Sequence, residues 1–190
     1  MRYQVIYADP PWSYNDKMSG HSFSLDHEYE TQDIEWIKNL PVNDIAEKNS
    51  YLFLWAVSPQ LPEALQVVES WGFKYKTVGF CWVKEYRDGG LFVKNLGRHT
   101  MGGMELCLLA TKGSPQRIDK TVRQIVFAPR GEHSKKPDEV RNRIVKLTGD
   151  SSRVELFARQ KTQDWDVWGD EVESSINLSS RDTHLNKWKK

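Results

Sequence analysis

The first twelve residues constrain the fold most. Tyr3-Gln4-Val5-Ile6-Tyr7-Ala8 is a near-continuous apolar run, and it stops at Asp9-Pro10-Pro11-Trp12. Proline fixes φ and has no N–H to donate, so a strand cannot continue through this tetrapeptide. The sheet must release the chain into a rigid loop holding one carboxylate, at least one free carbonyl and one flat ring. A planar base with an exocyclic amino group needs those three things. The Asp9 carboxylate and the Pro10 carbonyl each accept one N–H, while the Trp12 ring stacks on the base. Accepting both hydrogens turns the nitrogen lone pair out of conjugation and toward an electrophile. Orientation and electrostatics of this kind lower a barrier by roughly several kcal/mol. A surface Asp-Pro turn capped by a packed tryptophan is the plain alternative.

At 190 residues the chain is long enough for one domain with a sizeable core, or one domain and a tail. Cys81 and Cys107 lie in apolar, strand-like runs without Cys-x-x-Cys spacing, which points to buried thiols in a reducing, cytoplasmic compartment. No secretory segment and no membrane-length apolar run is present. His21, His27, His99, His133 and His184 lack metal-ligand spacing, so no metal is expected. Net charge is only +1, yet unevenly spread. Residues 1–73 hold 4 Lys/Arg against 11 Asp/Glu, residues 74–148 hold 16 against 7, and residues 149–190 hold 7 against 8. The middle third is a candidate phosphate-facing surface, or a solvated face balanced by the acidic first third.

Strand and helix signals alternate. Strands are expected at Tyr3–Ala8, Tyr51–Val57, Val78–Lys84, Glu105–Ala110, Gln124–Ala128 and Arg153–Ala158. Helices are expected at Asp33–Leu40 with Thr31 as N-cap, at Pro62–Trp71 closed by Gly72, and from Pro137 to Leu147. The alternation predicts a three-layer α/β domain with a mostly parallel sheet. Ser13–Glu30 and Glu85–Gly103 are long for plain connections and follow strands, which places them at the carboxyl-end crevice where such sheets bind ligands. The domain is expected over residues 1–172, and the polar stretch 173–190 as a flexible tail.

No Gly-x-Gly-x-x-Gly occurs. The C-terminal half offers other chemistry. A sulfonium amino-acid nucleoside needs a cation for its carboxylate, an acid for its ribose hydroxyls and a flat apolar surface for its adenine. Lys136 and Arg159 match the first, Asp170 or Glu171 the second and Phe157 the third.

In order along the chain come Asp9-Pro10-Pro11-Trp12, Tyr29-Glu30-Thr31, Leu52-Phe53-Leu54-Trp55, Trp82-Val83-Lys84 and Glu105-Leu106-Cys107-Leu108. Lys112-Gly113-Ser114-Pro115, Lys136-Pro137-Asp138-Glu139, Glu155-Leu156-Phe157-Ala158-Arg159 and Trp168-Gly169-Asp170-Glu171 follow. This series resembles the MT-A70 methyltransferases over roughly Tyr3 to Val172. The resemblance implies a Rossmann-like methyltransferase fold with permuted motif order, S-adenosylmethionine as cofactor, and methyl transfer to N6 of adenine in DNA.

It also implies residue roles. Asp9, Pro10, Pro11 and Trp12 form the catalytic motif, with Trp12, Tyr29 and Trp55 at the adenine. Asp9, Lys136, Glu155, Phe157, Arg159, Asp170 and Glu171 belong to the cofactor. A homodimer or a related partner subunit is a further implication. Three departures stand out. Met104 replaces a lysine common in the family, Asp170 replaces a frequent asparagine, and Met1 leaves no acidic segment ahead of the first strand. The same reaction on RNA, and a silent subunit that binds nucleic acid, are the competing readings.

Overall fold

The computed structural model describes residues 1–12, 33–92, 95–96, 99–131 and 135–178. Strand β1 (Tyr3–Ala8) ends one residue before Asp9, as the prolines require. Two short helices, α1 (Ile34–Lys38) and α2 (Val42–Ile45), lead into β2 (Ala46–Ala56). A 3-10 turn and α3 (Leu61–Ser70) connect β2 to β3 (Lys74–Glu85). A small hairpin, β4 (Asn95–Leu96) and β5 (Met101–Gly102), precedes β6 (Met104–Lys112). Strand β7 (Ile125–Pro129), helix α4 (Asp138–Thr148), β8 (Arg153–Leu156) and β9 (Asp166–Trp168) follow.

Seven strands share one sheet in the order β7-β3-β6-β2-β1-β8-β9. Pairs β1/β2, β1/β8, β8/β9 and β3/β7 are parallel, while β6 is antiparallel to both neighbours. All strands but β6 therefore end at one edge, and β6 begins there. Side chains alternate between faces with the strand period. Ile6, Ala8, Leu52, Leu54, Val154 and Leu156 pack under α1 and α3. Val5, Tyr7, Phe53, Trp55, Phe80 and Trp82 pack with Val140, Ile144 and Leu147 of α4. The sheet is thus covered on both faces, the expected three layers.

Several boundaries differ from the sequence reading. Asp33, not Thr31, caps α1, its carboxylate accepting the Glu35 N–H at 3.1 Å; Thr31 lies outside the described residues. Strands β2 and β3 start earlier because their first residues, such as Glu47-Lys48-Asn49 and Lys74-Tyr75-Lys76, are polar or exposed and carry no apolar signature. Pro137 occupies the N-cap of α4 in extended conformation rather than the first helical position. Strand β8 stops at Leu156 because Phe157 turns to φ 62°. The packed chain also continues past residue 172. Ser175 N–H donates to Val167 O at 2.8 Å, and Leu178 is buried in the α1/α3 core. Residues 179–190 lie outside the described set.

Candidate active site

Asp9 leaves the carboxyl end of β1 with its side chain about one-quarter exposed (25%). Lys136, just ahead of α4, donates from Nζ to Asp9 Oδ2 at 2.8 Å. The same ammonium lies 3.3 Å from Glu105 Oε2, and Glu105 Oε1 lies 2.6 Å from Lys84 Nζ. Asp9, Lys136, Glu105 and Lys84 therefore form a line of alternating charge across the edge where β1 and β3 end and β6 begins. Register explains the last pair: Trp82 faces Glu105 in the β3/β6 ladder, which brings Lys84 within reach.

Charge balance is unequal along that line. Burial pushes the Asp9 carboxyl above its ordinary value; Lys136 offsets this only in part, and nearby Glu105 adds to the rise. For Glu105, burial is outweighed by Lys136 and Lys84, which hold it below the usual range. Burial disfavours the Lys136 ammonium, but Asp9 and Glu105 together hold its pKa above normal.

Beneath this line the backbone is pinned. Trp12 N–H donates to Pro10 O at 2.9 Å, which leaves that carbonyl one lone pair for a ligand. Trp12 Nε1 donates to Trp55 O at 3.0 Å. Trp12 is 8% exposed and Trp55 1%, so both rings sit in the core. Trp55 Nε1 donates to the Tyr7 hydroxyl at 2.6 Å, and Lys136 Nζ lies 5.4 Å from the Trp55 ring centroid.

Beside Asp9, β8 and β9 end in a tight clasp. Ala158 N–H donates to Trp168 O at 2.9 Å, and a Cβ on Gly169 would stand 2.1 Å from Ala158 O. Only glycine permits that approach. The left-handed turn at Phe157, uncommon for a bulky residue, sends its ring inward at 7% exposure against Trp36 and Trp168. Arg159 Nε stands 3.6 Å from Glu171 Oε1 on the rim, and Asp170 is exposed next to it. Glu155 is engaged differently. Arg141 Nε donates to Oε2 at 2.8 Å and Nη2 to Oε1 at 3.4 Å, so both carboxylate oxygens are occupied. Arg141 also binds Asp138.

The motifs that build this edge occur in a recognised order, and the MT-A70 family model matches residues 3–171. The chain belongs to the MT-A70 family. Its mostly parallel seven-stranded sheet is consistent with a Rossmann-like methyltransferase fold. It is 36% identical to the type II methyltransferase M.MunI of Mycoplasma sp over 189 residues, covering 90% of this chain and 78% of that protein. It is 26% identical over 160 residues to the N(6)-adenosine-methyltransferase catalytic subunit METTL3 of Homo sapiens, covering 83% of this chain and 26% of that protein. The Arabidopsis thaliana N(6)-adenosine-methyltransferase MT-A70-like protein is 25% identical over 156 residues, 82% of this chain and 21% of that protein. This MT-A70 chain thus spans about a quarter or less of the adenosine methyltransferases it matches. Among the described residues, no helix is long and apolar enough to cross a membrane.

The structure brings Asp9, Pro10, Trp12, Trp55 and Lys136 together, with Phe157, Arg159, Asp170 and Glu171 on the neighbouring strand ends. Tyr29 lies outside the described residues. In the sequence Lys84 and Glu105 stand only as parts of motifs, and no pattern singles out Tyr7 or Arg141. A lysine ending an apolar strand and a glutamate opening another were the available signals for the first pair. The described basic residues of the middle third are divided. Lys84 and Arg141 are buried in ion pairs and Lys136 is largely covered in one, Arg117, Lys120 and Arg123 are exposed on the connection from β6 to β7, and Arg87, Arg130 and Lys135 are exposed near the carboxyl edge, just past the ends of β3 and β7 and ahead of α4.

Proposed function

We propose that this protein transfers a methyl group from S-adenosylmethionine to N6 of adenine in DNA. One observation carries the reading: a partly exposed carboxylate follows strand β1, steadied by a lysine that a second acid shares. Asp9 accepts one N6 hydrogen and the remaining lone pair of the Pro10 carbonyl accepts the other. An amine so held presents its lone pair in one direction, and no covalent enzyme intermediate is needed. Lys136 favours the ionised form of Asp9 and offsets part of the effect of burial. In a duplex the target adenine first leaves the stack, which costs about a few kcal/mol.

The donor set fits the cofactor. Arg159 offers a cation for its carboxylate, Asp9 an anion for its ammonium, and Asp170 and Glu171 acceptors for ribose hydroxyls. When bound, S-adenosylmethionine supplies the electrophilic methyl carbon. Lys136 serves Asp9 in this reading, since its ammonium is already shared by two carboxylates. Glu155 steadies α4 against β8 through Arg141, and Trp12 anchors the Pro-Pro turn through its bond to Trp55.

Higher identity to the type II methyltransferase than to the adenosine methyltransferases, 36% against 26%, favours DNA over RNA. The test is to incubate the protein with radiolabelled S-adenosylmethionine and matched single- and double-stranded DNA and RNA, alongside Asp9→Ala. Label in DNA that the variant cannot transfer supports the proposal. Label confined to RNA moves the substrate class. No label on any nucleic acid, with cofactor still bound, points to a missing partner subunit or a silent one.

A further inference from the structure

We propose that Trp55 and Tyr7 are positioning residues for the Asp9 carboxylate, Trp55 forming the floor beneath Lys136 and Tyr7 fixing the plane of that floor. The proposal rests on the role given to Asp9 above. A tryptophan in this motif invites a base-stacking role, but at 1% exposure Trp55 has no face to offer a base. Each of its functional groups is instead directed at the site from below. Its carbonyl accepts Trp12 Nε1 at 3.0 Å and so holds the Pro-Pro turn. Its ring lies under Lys136 Nζ, 5.4 Å from the centroid, an arrangement that favours a desolvated ammonium.

Its Nε1–H, buried and in need of an acceptor, finds the Tyr7 hydroxyl at 2.6 Å. The ring edge meets Trp82 at 6.4 Å and 78°, and Trp82 in turn lies 5.2 Å from Lys84 Nζ. Both lysines that flank Glu105 thus rest on tryptophans that touch each other. Trp82 is tied separately, through Nε1 to Ala128 O at 2.9 Å. Tyr7 is the corresponding tie for Trp55.

A linear dependence follows, from hydroxyl to indole to ammonium to carboxylate. Without the Tyr7 hydroxyl the indole N–H is stranded in the core, and the ring must turn or admit water to satisfy it. Lys136 then loses its fixed seat beside Asp9, while Glu105 remains a second partner to draw it away. Asp9 is faced by Lys136 from the start of α4, Glu105 from β6 and Arg159 from the end of β8, and it acts in turn on Glu155 and Cys107. Tyr7 is faced by Arg141, Glu155 and Cys107. Of the groups facing Asp9, Lys136 is the one that the tryptophan floor seats.

The test is a titration of the Asp9 side-chain carbon by NMR in the whole protein labelled with carbon-13 aspartate, the signal assigned by its loss in Asp9→Ala. Tyr7→Phe and Trp55→Phe each remove one end of the same hydrogen bond. In both, the Asp9 midpoint should move up, and turnover on DNA should fall about tenfold with little change in KM. The double variant should be no worse than the stronger single one, since both act through one bond. A tyrosine that only supports the core would lower the melting temperature and leave the Asp9 midpoint in place, and that result overturns the proposal. Should one variant fail to fold, the other reads the same midpoint. Full turnover in Asp9→Ala would overturn the role given to Asp9 and this proposal with it. A dead Asp9→Ala beside an unmoved midpoint in Tyr7→Phe overturns only the positioning chain.

Discussion

Asp9 and Glu155 are acids on adjacent parallel strands, both raised by burial and both gripped by a cation from α4 or its approach. Glu155 is held by the planar fork of Arg141, which occupies both oxygens and adds Asp138 as a second partner. Asp9 is held by the single ammonium of Lys136, which leaves one oxygen uncommitted to it and is itself shared with Glu105. Arginine's rigid guanidinium suits a closed, permanent pair, whereas lysine's compact charge on a flexible stem suits one that yields. On the proposed reading, the difference separates a brace from a working group. One edge of the sheet then serves structure at Glu155 and chemistry at Asp9.

The sharpest way to break that distinction is to remove the acids' functions one at a time. Asp9→Ala should lower turnover by at least about 100-fold, by loss of an electrostatic contact at the reacting nitrogen, while the denaturation midpoint holds. Turnover near that of the unaltered protein would make Asp9 a second brace. Arg141→Met should do the reverse in kind: chemical denaturation should show a loss of about 3–5 kcal/mol, the usual result of leaving a buried charge without its partner. An unchanged midpoint would show that Glu155 does not depend on the fork.

Gly169→Ala probes the clasp between the ends of β8 and β9, beside the residues proposed to hold the cofactor. Its Cβ would stand 2.1 Å from the Ala158 carbonyl, so backbone must move, at a cost of about 1–3 kcal/mol and with weakened cofactor binding by calorimetry. Acid titration of stability sharpens the contrast further. Glu105 is held below its usual range, so its contribution is complete at neutral pH and disappears as pH falls through its folded value. Glu155 is raised, so the folded state takes up its proton first and gains relative stability on acidification. Glu105→Gln should therefore flatten the acid loss of stability and Glu155→Gln should steepen it, measured by denaturant unfolding from neutral pH downward. Equal slopes would remove the distinction. The smallest effect belongs to Arg159→Ala, whose exposed pair with Glu171 contributes only about 0–1 kcal/mol to stability; its signature should be weaker cofactor affinity at an unchanged midpoint.

Much of this was legible because it is local. Two prolines end β1 wherever the rest of the chain goes, and apolar runs such as Leu52–Trp55 mark buried strands without any tertiary information. Short polar elements were not legible. Strand β9 spans only Asp166–Trp168 and exists by pairing with β8, and β2 takes in Glu47–Asn49 between its pairings with β1 at Ala46 and Tyr51, where the register shifts. The pairing of Lys84 with Glu105 depends on the β3/β6 register, which no local pattern specifies. Face was equally hidden. Trp12, Trp55 and Phe157 were expected to present rings to ligands, and a sequence cannot say that the sheet turns all three inward. The charge surplus of the middle third is equally silent about place, since it sums buried, paired residues such as Lys84 and Arg141 with exposed ones at both edges of the sheet.

Strand β6 has one more consequence. Because it alone runs backward, the segment joining β3 to β6 departs from and returns to the same rim, and the Lys84 N–H is bonded to Gly103 O at 2.8 Å where the two ends meet. A connection whose two feet are clamped side by side can be lengthened, shortened or exchanged without rethreading any strand. The rim beside Asp9 therefore works like a fixed handle with an interchangeable bit: residues between positions 85 and 103 can change while the sheet beneath them keeps its register.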